Sequence, residues 1–294
     1  MEKIERLLHG IHNPEGPVSL CDGSWLFTEM DIGAISHVTK DGKLRHIAIT
    51  GLPNGMTLGE DGKIWVAEAK QRALMVVDME GISKTVSTGS ADAPFLLPND
   101  LCFGPDGMIY MTDSGALLED FRKAEKPMGI YDLPFDGRLY VIDPATGESK
   151  VLDRGFRLTN GIAFGMGGEY LYVAETLTGE IFRYRYGEWK RESFGNVLMN
   201  APLSYGRVAG PDGMAFDTNG LLYVTVIAQD ITVLAQDGTV AFRINLPGDN
   251  PTNLAFDVNG ANQMLVTEAA NNELLVVETS HPGLPLYTEI GRMI

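Results

Sequence analysis

Residues 54–69 read NGMTLGEDGKIWVAEA: an Asn-Gly turn, a short apolar stretch, an Asp-Gly turn, then an aromatic-bearing strand that ends on an acid. The phrase returns as EGPVSLCDGSWLFTE (15–29), NDLCFGPDGMIYMTDS (99–114), NGIAFGMGGEYLYVAET (160–176), DGMAFDTNGLLYVTV (212–226) and TNLAFDVNGANQMLVTEA (252–269). The six starts lie roughly 40 to 60 residues apart, the length of a four-stranded propeller blade with extra loop in the middle two. Behind residues 54–69 follow ALMVVDMEG and ISKTVST, two more strands joined by tight turns, so one repeat holds one twisted antiparallel sheet. Asp22-Gly23, Asp61-Gly62, Asp106-Gly107 and Asn219-Gly220 supply the positive φ that such turns need. The expected fold is all-β, a six-bladed β-propeller with four antiparallel strands per blade, and residues 1–294 form one domain.

Bulk properties narrow the function. No stretch approaches the roughly 18 apolar residues of a membrane span, and MEKIERLLHG at the start carries acids and lacks an apolar signal core. A cytoplasmic protein without a membrane anchor is expected. The formal charge of −16 argues against nucleic acid or an anionic membrane as partner, because counterion release needs clustered Lys and Arg. A cation is the more natural companion. Cys21 and Cys102 fall in different blades, which is no disulfide framework, and their apolar surroundings suggest buried thiols.

Loop lengths point to one face. Consecutive strands of a blade are antiparallel, so the start of the first and the finish of the second share an end. The insertion at 114–136 follows a second strand and the connection NAPLSYGRVAG (200–210) precedes a first strand, so both should hang over the face where the phrases begin. ALLEDFRKAEK, from Ala116, is the one segment with a helical pattern. For closure of the last blade, EKIERLLHG is a candidate to pair with LLVVETS, and LPLYTEIGRMI competes for that place.

Glu15, Asn54, Asn99, Asn160, Asp212 and Thr252 open the six phrases, so symmetry should gather six oxygen-bearing side chains near one axis. All are hard ligands of the kind that Ca²⁺ and Mg²⁺ prefer and Mn²⁺ and Zn²⁺ tolerate. Taken singly, Asn-Gly and Asp-Gly are ordinary turn chemistry. Glu15 in PEGP and Asn99 in PND are not turn pairs, yet they hold the same repeat position. A second ring, Glu29, Glu68, Asp113, Glu175 and Glu268, closes the phrases, with Val226 breaking the series. These acids are expected to accept backbone N–H groups of the following turns. No nucleophile elbow, zinc-protease helix, Walker loop or C-x-x-C pair is present. Of the five histidines only His12 comes near the inferred site in sequence.

PEGP at Glu15, LPNDL at Asn99, TNGIAF at Asn160 and GPDGMAFDTNG at Asp212, in this order, resemble the SMP-30/gluconolactonase/LRE family of six-bladed propellers over almost the whole chain. The resemblance implies that Glu15, Asn160 and Asp212 bind one divalent cation, Ca²⁺ foremost, with Zn²⁺, Mg²⁺, Mn²⁺ or Fe²⁺ as alternatives. It implies that Asn99 contacts metal, water or substrate, and that the activity is lactone hydrolysis. Members acting on sugar lactones often carry Arg two residues before the PND-type Asn; here that residue is Leu97. The departure favours a more apolar lactone or ester, beside Phe95, Leu96 and Leu97.

The mechanism expected from this set has the cation polarise the lactone carbonyl while water attacks. Asp212 is the first candidate for base, with hydroxide held on the cation as the alternative. Asn99 orients substrate or water, and Asn54 and Leu97 contact substrate. Two rival readings keep the fold: phosphotriester hydrolysis at the same metal, and a non-catalytic binding platform.

Overall fold

The computed structural model of the chain describes residues 3–124, 128–199 and 207–290. Six separate four-stranded antiparallel sheets form six blades. The inner strands are Pro14–Ser19, Pro53–Leu58, Pro98–Phe103, Thr159–Phe164, Gly210–Phe216 and Pro251–Phe256, one for each phrase. Neighbouring inner strands touch in chain order, and the sixth touches the first, so the ring is closed.

The phrase aromatics explain how blades adhere. Trp65, Tyr110, Tyr172 and Tyr223, each on a second strand, stand edge-on to Phe103, Phe164, Phe216 and Phe256 of the next inner strand, with centroids 5.9, 5.1, 4.8 and 5.2 Å apart. Such pairs contribute about 0.5–1.5 kcal/mol each beyond area burial. Apolar side chains fill the seams: Val18, Leu26 and Ile35 meet Met56 and Ile64, and Tyr223, Ile231 and Val233 meet Leu254 and Val266. The seams also carry hydroxyl struts. Thr28 donates to the Asn54 carbonyl at 2.9 Å, Thr112 to that of Asn160 at 2.6 Å, and Thr225 to that of Thr252 at 2.8 Å.

The N-terminus closes the last blade. Ile4–His9 pairs antiparallel with Glu273–Glu278 as its outermost strand. A sheet ring has no free inner edge, and this pairing covers the outer edge of the final sheet with a distant part of the chain. The C-terminal segment instead crosses the end of the channel opposite the phrase starts: Leu284 N bonds the Phe216 carbonyl at 2.8 Å, and Tyr287 packs edge-on to Phe164 at 5.6 Å.

Helix α1 (Leu118–Lys123) lies in the 114–136 insertion, as its pattern predicts. Ile130 of that insertion is buried with Leu158 and Leu177, and Phe121, Phe135 and Val208 pack on them, so it covers blade 4 at the end where the phrases begin. Of the second predicted loop, residues 200–206 lie outside the described residues. No helix among the described residues is long and apolar enough to cross a membrane. One expectation is corrected: Cys21 is exposed, because it stands at the corner of the hairpin turn in which Leu20 N bonds the Ser24 carbonyl at 2.9 Å. Cys102 is half-buried.

Candidate metal centre

Each inner strand carries a break in register at its phrase-initial residue. Pro98 faces Asp113, but the next paired residue is Leu101, opposite Met111; the same jump occurs between Glu15 and Val18, Pro53 and Met56, Thr159 and Ile162, Pro211 and Met214, and Pro251 and Asn253. A bulge re-aims side chains. Here it allows two consecutive residues of one strand, such as Asn99 and Asp100, both to be buried in the centre of the ring.

Glu15 and Asp212 are buried, and so is Asp100, which sequence reading passed over. Loss of hydration pushes Glu15 up to about 7, with the Asp100 charge adding to it. Asp100 rises to about 6 from burial. Asp212 is held well above the ordinary carboxylate range by burial, then by Glu15 and Asp100. The three carboxylates therefore share one low-dielectric space. No cationic side chain among the described residues pairs with any of them.

The amides are oriented by second-strand hydroxyls. Asn99 Nδ2 donates to Ser114 Oγ at 3.0 Å, and that hydroxyl donates on to the Thr159 carbonyl at 3.0 Å. Asn160 Nδ2 donates to Thr176 Oγ1 at 3.1 Å, whose proton goes to the Pro211 carbonyl at 2.8 Å. Because each hydroxyl proton is committed to a carbonyl, the amide must present N–H to it, which leaves the Asn oxygen as the free end. Asn160 also hydrogen-bonds Asp212. Asn54 is nine-tenths buried and its amide has no hydrogen-bond partner among the described residues, so it can receive a ligand.

Two phrase-initial and neighbouring residues behave differently from the rest. Thr252 is a strut: Oγ1 donates to the Pro14 carbonyl at 2.7 Å across the closing seam. Asn253 was missed by sequence reading and is central, since Nδ2 donates to Glu15 Oε2 at 3.1 Å and the side chain also hydrogen-bonds Asp100. Glu15 Oε2 further accepts Gly16 N at 2.7 Å. The missed pair had a signal. The second phrase position is Gly16, Gly55, Gly161 and Gly213 in four blades, and only blades 3 and 6 place a side chain there. Gly55 and Gly213 make room for those side chains: a Cβ on them would lie 2.2 Å from Asp100 Oδ1 and 2.0 Å from Asn253 Oδ1.

The second ring of acids has the structural duty expected of it. Asp113 accepts Leu96 N, Leu97 N and Gly115 N at 2.7, 3.0 and 2.9 Å; Glu268 accepts Asn250 N, Ala270 N and Asn271 N at 2.9, 3.0 and 2.7 Å. Leu97 itself is buried just before the third inner strand. Phe95 is withdrawn into the core, 4.9 Å from Tyr140, so it is unavailable to a substrate. His12 is exposed, with its backbone N–H on Glu29 at 3.1 Å.

No cluster of three or more His, Cys, Asp and Glu in ligating geometry occurs among the described residues. A cation here must be held by carboxylate and amide oxygen together. Glu15, Asn160 and Asp212 fit that requirement: hard donors, two of them acidic, buried and without a protein counter-charge.

A family model described as the SMP-30/Gluconolactonase/LRE-like region matches residues 13–270. The gluconolactonase of Zymomonas mobilis subsp. mobilis is 31% identical over 233 residues, 76% of this chain and 62% of that relative, so the chain spans about three fifths of its length. Luciferin-regenerating enzyme superposes with a TM-score of 0.81 at 17% identity over 97% of this chain and 98% of that one. A calcium-binding protein, regucalcin, from Agrobacterium tumefaciens superposes at 0.73 with 20% identity over 94% of each chain. At these identities the structural likeness concerns the fold.

Proposed function

Because the chain belongs to the SMP-30/gluconolactonase/LRE-like family, we propose that it is a divalent-metal-dependent lactonase whose cation, Ca²⁺ foremost, is held by Glu15, Asn160 and Asp212. The observation that carries this reading is the trio of buried carboxylates, Glu15, Asp100 and Asp212, without a protein counter-charge. The similarity to a gluconolactonase supplies the substrate class.

When bound, the cation supplies polarisation of the lactone carbonyl and stabilisation of the oxyanion that develops there. The chain's own residues do the rest. Asp212 takes a proton from the attacking water and returns it to the ring oxygen as the acyl C–O bond breaks, so lactone and water become one hydroxy acid. Asn99, fixed by Ser114, orients water or substrate. Glu15, fixed by Gly16 N and Asn253, keeps its place on the axis. Asn54 and Leu97 are the residues proposed to contact substrate, and Leu97 in place of a charged residue favours a lactone with an apolar substituent.

The test is hydrolysis of aldonolactones, aliphatic lactones, aryl esters and a phosphotriester by the purified chain, with Ca²⁺ or with chelator. Chelator-sensitive lactone turnover supports the reading. Preference for the phosphotriester, or no turnover of any substrate with any divalent ion, sinks it.

A further inference from the structure

A second chamber opens from the face opposite the phrase starts. It is a cavity of about 560 Å³ in the central channel, within the range of small-molecule sites. Its walls come from a repeated choice of side chain. The fourth phrase residue is Val18, Thr57, Cys102, Ala163, Ala215 and Ala255 in the six blades, small throughout. In four of the inner strands this residue is partly exposed although most of its neighbours are buried, so it faces open channel. The residues on either side, such as Met214 and Phe216, are large and fill the seams. Small side chains at the one channel-facing position keep the space from being filled.

Several buried polar side chains line the chamber, among them Ser19, Thr57, Asp100, Asn253 and Asp257. Its inner end is the Asp100 carboxylate, which accepts Leu101 N at 2.9 Å and hydrogen-bonds Asn253. Thr57, 5% exposed, lines the wall, and its hydroxyl has no hydrogen-bond partner among the described residues. Asp257 adds a second carboxylate near the mouth. Among the described residues that line the chamber there is no Lys, Arg or His. A largely apolar chamber whose charged side chains, among the described residues, are both acids repels carboxylates and favours a cation with an apolar body.

We infer that this chamber, entered from the face opposite the phrase starts and reaching the metal centre only at Asp100, is a second binding site for an organic ammonium ion with an aliphatic tail, its head directed at Asp100 and Thr57 and its tail along the ring of small residues. The C-terminal segment borders the mouth, where Thr218 N bonds the Pro282 carbonyl at 3.0 Å and Leu284 N bonds that of Phe216 at 2.8 Å.

Calorimetric titration of the full Ca²⁺-loaded chain with n-hexylamine, hexan-1-ol and hexanoate tests this. The expected result is one site for hexylamine, at least tenfold tighter than hexanol, and no binding of hexanoate. Ala255→Phe, which fills the ring of small residues, should abolish hexylamine binding and leave lactone hydrolysis unchanged. Should that variant not fold, Ala163→Leu and Thr57→Val serve, each expected to weaken hexylamine at least fivefold. Equal affinity for the three probes overturns the inference, as does hexylamine binding that survives in the filled variants. Competitive inhibition of lactone turnover by hexylamine would place it on the other face and overturn the inference too. The readout is binding, so its failure is distinguishable from failure of the lactonase reading.

Discussion

Asn253 and Glu15 stand 238 residues apart in the chain and are joined by a 3.1 Å hydrogen bond, amide Nδ2 to carboxylate Oε2, across the seam where the sixth inner strand meets the first. Closure of the ring and placement of an acidic ligand are thus one event. Asn253→Ala should lower divalent-cation affinity about 10- to 100-fold, as loss of an outer partner of a ligand does elsewhere. Calorimetric titration with Ca²⁺ reads this. Unchanged affinity would mean that Gly16 N alone fixes Glu15.

Glu15 and Asp212 are both buried acids, yet the proposed roles separate them. Glu15→Gln should weaken cation affinity and recover much of its turnover at high cation concentration. Asp212→Asn should lose about 10²–10⁴ of kcat even with the cation saturating, the range expected for removal of a general base. Initial rates over a cation titration distinguish the two. Recovery of Asp212→Asn at high Ca²⁺ would remove it as base.

The pH dependence follows from the direction of the shifts. Glu15 lies at about 7 and Asp100 at about 6, both above the ordinary carboxylate range, so between pH 4 and 7 the folded chain binds more protons than the unfolded one. Stability without a cation therefore falls as pH rises through that window, and a divalent cation held by Glu15 and Asp212 offsets part of that loss. The gap in Tm between Ca²⁺ and chelator should widen from pH 5 to pH 8. A constant gap would show that these carboxylates do not meet the cation.

The blades were legible because their signals are local. The turn pairs, the phrase and the aromatic of the second strand recur at short range, and four of those aromatics meet a Phe of the next blade. Glu15 and Asn99 were visible as departures from turn chemistry at a repeated position, and Asn160 and Asp212 through the position they share with them. Asp100 and Asn253 were not, since each follows the phrase-initial residue and nothing local announces that a bulge turns this next side chain inward as well. Thr252 looked like a ligand because a hydroxyl suits a cation, but only the closed ring brings the Pro14 carbonyl within 2.7 Å of it. The exposure of Cys21 depends on which side of a hairpin corner faces water, which an apolar neighbourhood in sequence does not specify.

Gly213 has the tightest fit of the four glycines at the second phrase position: a Cβ there would meet Asn253 Oδ1 at 2.0 Å and the Asn253 Cα at 2.7 Å. Gly213→Ala must shift either the sixth inner strand or the Asn253 side chain. The expected cost is about 1–3 kcal/mol of stability, the usual price of overpacking, together with weaker cation binding. Gly187→Ala, in open space at a turn with φ of 85°, serves as a comparison in which only backbone strain acts. If chemical denaturation finds Gly213→Ala no worse than Gly187→Ala, the inner strands are less tightly coupled than their spacing implies.

The last blade depends on a strand from the other end of the chain. Leu7 and Leu8 pack against Trp25, Phe27, Leu265 and Leu274, and Ile4 against the cluster containing Val277. Removing residues 1–9 strips three half-buried apolar side chains, worth several kcal/mol at about 25 cal/mol per Å², and bares Glu273–Glu278 as an open edge. The expected outcome is a fall in Tm on the order of 10 °C and concentration-dependent association through that edge. Because the same seam carries Thr252 to Pro14 and Asn253 to Glu15, cation affinity should fall with it. A truncated chain that keeps its Tm and associates no more than the full chain in light scattering would show that the inner seam alone holds the ring, and that the N-terminal strand is an accessory to closure.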